Sequence, residues 1–534
     1  MDNKIPENQN QQGTYFVPYT ALPKKEYTPL SKKENSFIFI ILFGLFIFVD
    51  FSLFHGFSLG FTISYAIIFA ISTAFIYRKD AQNKIFAIIC GVLSLILSIA
   101  NSLFNNEFLK PISILVILFL YAVYCLGISS GLSKITGSYK MLLDLFMKTI
   151  AAPFENLENV LGSIKAGAKS NKKGLSVLLG VLISIPVLAV VIPLLVSSDA
   201  AFEGLISSIF ENIGIYLIEL LIAAVLLPFF YSYLFARKRN EKPENKNTKS
   251  QAKSFPSALC ASFLSAISIT YLVYLFSQLA YFFSAFKGIL PEGYTHSASA
   301  FARRGFYEMF AICVINLAVV SLVSVFSERK NKKLPAFIKV LSVFISMFSV
   351  LLLVVAMQKM RLNIQTYGLS VNRILVSAFM LMIGVVIAFF ILHIFAPKVK
   401  YMQPIIIICS VIFIALTFSD IDRIAADYNI SAYTSGKLET LDVEAIAWMS
   451  DSAVPSLVEL TKNEDEKIAD KAKKELANVT FYKVDLTENY QELSLKENDT
   501  DFRSYNRARR NANKAVIEYF NSLSKKEKKA FIEA

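Results

Sequence analysis

An all-α fold, a polytopic transmembrane helical bundle of about eleven spans followed by a small C-terminal helical soluble domain, is what this sequence predicts. Of its 534 residues 55% are hydrophobic and only 18% charged, with a mean hydropathy of +0.51, outside the habit of soluble domains. Uninterrupted apolar runs of about 17 to 25 residues recur from residue 36 to residue 418, each long enough to cross about 30 Å of hydrocarbon at 1.5 Å per residue. From residue 419 the composition turns polar, with 18 basic and 22 acidic side chains. A membrane barrel is excluded because the runs lack the alternation that barrel strands need.

In chain order, residues 1–35 mix Pro, Lys and Tyr without periodicity and read as a disordered cytoplasmic tail. The transmembrane bundle occupies 36–418, with spans expected at 36–54, 57–77, 85–104, 111–133, 174–196, 212–236, 258–285, 306–327, 337–357, 375–396 and 404–418. His55 and Gly56 make a very tight turn between the first two, and the last run is short for a crossing. Near 139–166, Phe154, Leu157, Leu161 and Ile164 recur at helical spacing opposite Glu155, Glu158 and Lys165, the pattern of a helix lying in the interface. Residues 237–257 form a basic cytoplasmic loop. In the 419–534 domain, Asp451 or Ser452 is placed to cap a helix starting near Pro455, with Val454, Leu457, Val458 and Leu460 on its apolar side. A further helix is expected over about 502–521, and Trp448 is expected in the core.

Lysine and arginine set the orientation, since short loops rich in them stay in the cytoplasm. Loops on the N-terminal side carry 28 of these residues and the opposite loops 7, which predicts a cytoplasmic N-terminus and an extracytoplasmic C-terminal domain. The net charge of +13 is thereby a topology signal, and nucleic acid is not an expected partner. Cys90, Cys125, Cys260, Cys313 and Cys409 fall inside spans without metal-ligand spacing, so they read as apolar filling. The expected localisation is the plasma membrane, with lipids as partners.

Arg303 and Arg304, in "PEGYTHSASAFARRGFYEMF", break the charge rule by standing on the outer side. Five acids collect in the same outer half: Asp50, Asp199, Glu203, Glu219 and Glu308. A charge at mid-membrane costs about 2.5–3.5 kcal/mol on insertion scales, so each needs a partner or water. Arg304 and Glu308, at i and i+4, can pair on one helix face for only a few tenths of a kcal/mol. The pattern predicts an outward-facing polar cavity, walled by spans one, six, seven and eight, that binds an anionic headgroup or small solute on the two guanidinium groups. A plainer reading has the arginines snorkel to outer-leaflet phosphate and the acids reach water. Asn101, Gln278 and Asn316 are read as interhelical hydrogen-bond glue.

"PEGYTHSASAFARRGFYEMFAICVINLAV", "QTYGLSVNRILVSAFML" and "DYNISAYTSGKLETLDVEAIAWMSDSAVPSLVEL" together resemble the bacterial polytopic membrane family catalogued as domain of unknown function 4173, related to 4153. The resemblance implies a multi-span bacterial membrane protein and brings no activity, cofactor or catalytic residue. Residue types and spacing supply no catalytic constellation, no metal set and no cofactor motif. The preferred expectation is a non-enzymatic sensor or assembly factor. Its alternatives are a transporter or flippase for an anionic lipid or small solute, and an enzyme acting on a lipid-linked substrate at the outer face.

Overall fold

The computed structural model describes residues 31–129, 140–160, 214–239, 255–286, 306–328, 334–396, 399–486, 493–495 and 501–533, apart from 82 and 159, with scattered positions between 180 and 198. The first helix, α1 (Lys32–Phe48), starts on a capping box in which Ser31 and Glu34 satisfy each other's backbone N–H groups. It widens into a π-turn over Val49–Phe54, then meets α2 (Leu59–Ile76) across the turn at Gly56, whose φ of 77° is open to glycine. The helices α3 (Lys84–Leu103) and α4 (Leu109–Ile128) form a tightly packed antiparallel pair.

A broken helix follows, from α5 (Lys140–Phe146) through a second π-turn (Met147–Ala151) to α6 (Ala152–Glu155). Leu142, Phe146, Met147, Ile150 and Phe154 are exposed along it, while Leu161, Ile164 and Lys165 of the interfacial helix expected from the sequence lie outside the described residues. Ser232 donates to the Pro153 carbonyl at 2.7 Å, which ties this segment to α7 (Ile215–Arg239). The remaining bundle helices are α8 (Ser257–Phe286), α9 (Phe306–Phe326), α10 (Ala336–Tyr367), α11 (Val371–Phe395) and α12 (Met402–Phe418).

Among the described residues nine helices are long and apolar enough to cross a membrane, and ten if α12 is taken with the helix after it, which departs at 58°. The span expected at 174–196 lies largely outside the described residues. One half of the bundle packs α1 to α4 and α7 around Ile41, Phe61, Tyr65, Tyr121 and Tyr231, with Leu375 of α11 and Phe413 of α12 joining it. The other half packs α8, α9, α10 and α11 around Cys313, Phe348, Leu352 and Met380. Leucine-sized side chains and aromatic pairs fill both halves, and the five cysteines are free thiols, four of them buried. Asn316 accepts from Tyr271 at 2.5 Å and donates to Ser349 at 2.9 Å, the interhelical role expected of it.

The C-terminal domain is built from α13 (Ile421–Thr434), α14 (Val443–Ala447), α15 (Val454–Leu460), α16 (Glu466–Lys483), α17 (Arg507–Ser522) and α18 (Lys525–Glu533). Two three-residue strands, β1 (Val484–Leu486) and β2 (Leu493–Leu495), pair antiparallel between α16 and α17 and were not anticipated. Leu457, Leu460, Leu476, Val516 and Phe520 make its core. Trp448 does not join them: its side chain is 72% exposed, because small residues such as Ala472, Ala477 and Ala512 let the helices close without it. Asp451 does not cap α15 through its side chain but opens a 3-10 turn before it, and its carboxylate turns toward the bundle.

Candidate functional site

The sequence places Asp50 and Glu219 on different spans, and the fold brings them to one end of the bundle because α7 packs on α1 and its π-turn. Widening the helix at Val49–Phe54 turns Asp50 and Ser52 inward, where the Ser52 and Ser64 hydroxyls lie 2.9 Å apart. What sequence reasoning missed is the partner. Arg503, from the far C-terminal domain, donates from one terminal nitrogen to Asp50 Oδ1 at 2.7 Å. Its other terminal nitrogen and Nε hold Asp501 Oδ2 at 2.7 and 2.9 Å. The guanidinium fork therefore bridges the two domains, the geometry to which arginine is suited and lysine is not.

His55 completes the cluster. Its Nδ1 lies 3.2 Å from Asp50 Oδ1 and 2.8 Å from the Asp50 carbonyl, while Nε2 is 3.5 Å from Asp501 Oδ2. Glu219 is fully buried beside this group, within electrostatic reach of Asp50, His55 and Arg503, and neither carboxylate oxygen has a hydrogen-bond partner among the described residues. A buried acid without a partner is costly in a span and marks a functional position more often than a structural one. No group of metal-ligating side chains is present among the described residues.

Further contacts join the C-terminal domain to the same end of the bundle. Asn506 caps two helices at once: Oδ1 accepts from the Arg509 amide at the start of α17, and Nδ2 donates to the Asn101 and Phe104 carbonyls at the end of α3. In the turn between α3 and α4, Asn105 donates to Asp451 at 2.8 Å and Asn106 to Asp422 at 2.6 Å. Asn429 of α13 exchanges two hydrogen bonds with the Leu369 backbone, beside Gly368 with its φ of 79°. The Leu59 amide donates to the Tyr505 carbonyl, and Gly60 packs directly on the backbone of Phe51 and Arg503. A cavity of about 160 Å³, room for roughly five waters, opens at this junction between Leu103, Phe104, Asp420, Arg423, Asp451 and Arg507.

Of the other expected site residues, Arg303, Arg304, Asp199 and Glu203 lie outside the described residues. Glu308 is exposed at the start of α9, within electrostatic reach of Lys359, and belongs to the other half of the bundle. Among the described residues α8 and α9 pack chiefly on α10, and the outer loop that joins them lies outside the described residues.

Hydrogen bonds from Arg503 hold the Asp501 carboxyl below the usual carboxylate range. A carboxylate whose folded value is depressed stabilises the docked state above its ordinary pKa of about 3.9, and that stabilisation is lost as pH falls through the depressed value. Hydrogen exchange at 501–509 in detergent is therefore expected to stay slow from neutrality to about pH 5 and to accelerate, beyond the intrinsic pH effect, below about pH 4. Intrinsic behaviour throughout contradicts an ionic contribution from Asp501.

A helical polytopic membrane protein with a helical domain seated on one end of its bundle is the class this architecture defines. The chain belongs to the family described as Domain of unknown function (DUF4153), whose model matches residues 65–460. No curated protein and no solved structure matches it. The matched range includes Asn105, Asn106, Glu219, Asp422 and Asp451, while Asp50, His55 and Arg503 fall on either side of it.

Proposed function

We propose that this integral membrane protein is a non-enzymatic sensor or assembly factor of the bacterial plasma membrane, in which the C-terminal domain answers to the outer end of the bundle. The observation that carries this reading is the Arg503 guanidinium shared between Asp50 of the first span and Asp501 of its own domain. A domain tied to spans by a few charge-assisted bonds can be released by any ligand that competes for those charges, and such coupling is what a sensor requires.

The competing ligand we assign is an anionic headgroup held by Arg303 and Arg304, with Glu308, Asp199 and Glu203 as polar neighbours. Motifs around those arginines also support a place near the related family 4173. The excess of Lys and Arg on the opposite loops supports an extracytoplasmic C-terminal domain. A reporter fused at Ala534 that proves cytosolic contradicts that orientation.

The experiment is hydrogen exchange at 501–509 in nanodiscs of phosphatidylcholine alone and with added phosphatidylglycerol. The sensor reading expects exchange to differ between the two lipids, and the Arg303→Ala, Arg304→Ala double variant to lose the difference. Equal exchange in both lipids removes the reading.

A further inference from the structure

Four aromatic side chains are left exposed around the junction of the C-terminal domain with the bundle: Phe108, Tyr428, Trp448 and Phe502. Each lies close in the chain to a contact that fixes its height. Phe108 follows the Asn105 and Asn106 turn by two residues, and its amide donates to Asn106 Oδ1 at 3.0 Å. Tyr428 precedes Asn429, which is bonded to Leu369 between α10 and α11. Phe502 precedes Arg503 and meets Phe51 of the first span edge-on at 5.8 Å. Trp448 stands two residues before Ser450, whose amide donates to Asp422, and three before Asp451, which accepts from Asn105. Three residues of chain reach at most about 11 Å.

Every one of those anchors is at the end of an apolar helix: Phe54, Leu103, Leu109, Tyr367 and Val371 bound the spans there. Phe108, Trp448 and Phe502 are therefore held beside helix ends where an apolar run gives out. Tryptophan and tyrosine favour the level where hydrocarbon gives way to headgroups because an apolar ring and a polar N–H or O–H can each find their medium. Exposure to water would leave the largest apolar side chain of the C-terminal domain bare beside a bilayer able to cover it.

We infer that the bundle-proximal rim of the C-terminal domain is a lipid-contact surface, with Trp448 and Phe502 set into the headgroup layer of the surrounding bilayer. The inference stands independently of the sensor reading and of which side of the membrane the domain faces. It makes the Asp50, His55 and Arg503 group a cluster at headgroup depth, sheltered from bulk water by lipid as well as by protein.

Trp448 is the only tryptophan in 534 residues, so the emission of the intact protein reports this position alone. In nanodiscs whose lipids carry bromine high on the acyl chain, the emission should fall by about half or more relative to unbrominated lipid, and acrylamide should quench it weakly. Phe502→Trp in a Trp448→Phe background should behave in the same way, which guards against a local rearrangement at one site. Emission unaffected by brominated lipid overturns the inference, whether acrylamide then reaches the indole, placing it in water, or does not, placing it under protein such as a second copy.

Discussion

Replacing Arg503 with alanine is expected to loosen the 501–509 segment of the C-terminal domain from the first span while both domains remain folded. The substitution leaves Asp50 with His55 as its one remaining partner among the described residues, and Asp50 is only 10% exposed in its side chain, so an acid is stranded at the end of a span. Truncating one member of a buried hydrogen-bonded charge pair costs about 2–5 kcal/mol, most of it from the charge left behind. The core of the domain does not include Arg503, since Leu457, Leu476, Val516 and Phe520 pack without it. Limited proteolysis should then cut near 496–506 much faster than in the parent, with unchanged helical content by circular dichroism. Arg503→Lys should recover part of the loss, because an ammonium cannot reproduce the fork that holds Asp50 and Asp501 together. Proteolysis at the parental rate in the alanine variant means that the ion pair does not hold the junction.

Gly60→Val is expected to act at the same junction through sterics alone. A Cβ at residue 60 would stand 2.5 Å from the Phe51 carbonyl oxygen and 2.8 Å from that of Arg503. Both neighbours are backbone, so neither can rotate away, and either the π-turn or the docked domain must move. Overpacking of this kind costs about 1–3 kcal/mol, and here the softer boundary is the one between domains. Gly384→Ala is the matched control, since a Cβ there meets only Leu353 at 3.9 Å. The valine variant should expose the 502–509 segment to protease and the Gly384 variant should not. Equal behaviour of the two contradicts the close approach of the domain to the turn.

The spans were legible because crossing a bilayer demands a length of apolar sequence that nothing else demands, and ten of the eleven expected ones recur as apolar helices among the described residues. Residues 402–418 illustrate the margin: the run is short, and its helix ends at Phe418 with α13 departing at 58° after a two-residue break. The helix at Arg507–Ser522 was legible for the related reason that apolar periodicity survives where neighbours are local.

The site was legible by halves. Asp50 and Glu219 stood out because an acid in a span is rare, but the cation that answers Asp50 lies 453 residues away in a segment whose composition, "DFRSYNRARR", is that of an ordinary solvated surface. A charge in a span announces itself; its partner in a polar domain does not. The paired asparagines at 105 and 106 carried a fainter signal, two amides in a short turn between apolar helices, where backbone groups at helix ends need partners. Trp448 runs against its sequence signal, since a lone tryptophan in a small domain is ordinarily core and here it is exposed.

The domain–bundle connection through Asp50 and Arg503 is tested most directly by a double-mutant cycle. Asp50→Ala, Arg503→Ala and the double variant, each in nanodiscs, would be compared by hydrogen exchange of the 501–509 backbone. Direct contact predicts that the two single losses are far from additive, with a coupling of about 1–3 kcal/mol and a double variant scarcely worse than either single one. Additive losses would show that the first span and the C-terminal domain do not meet at these side chains.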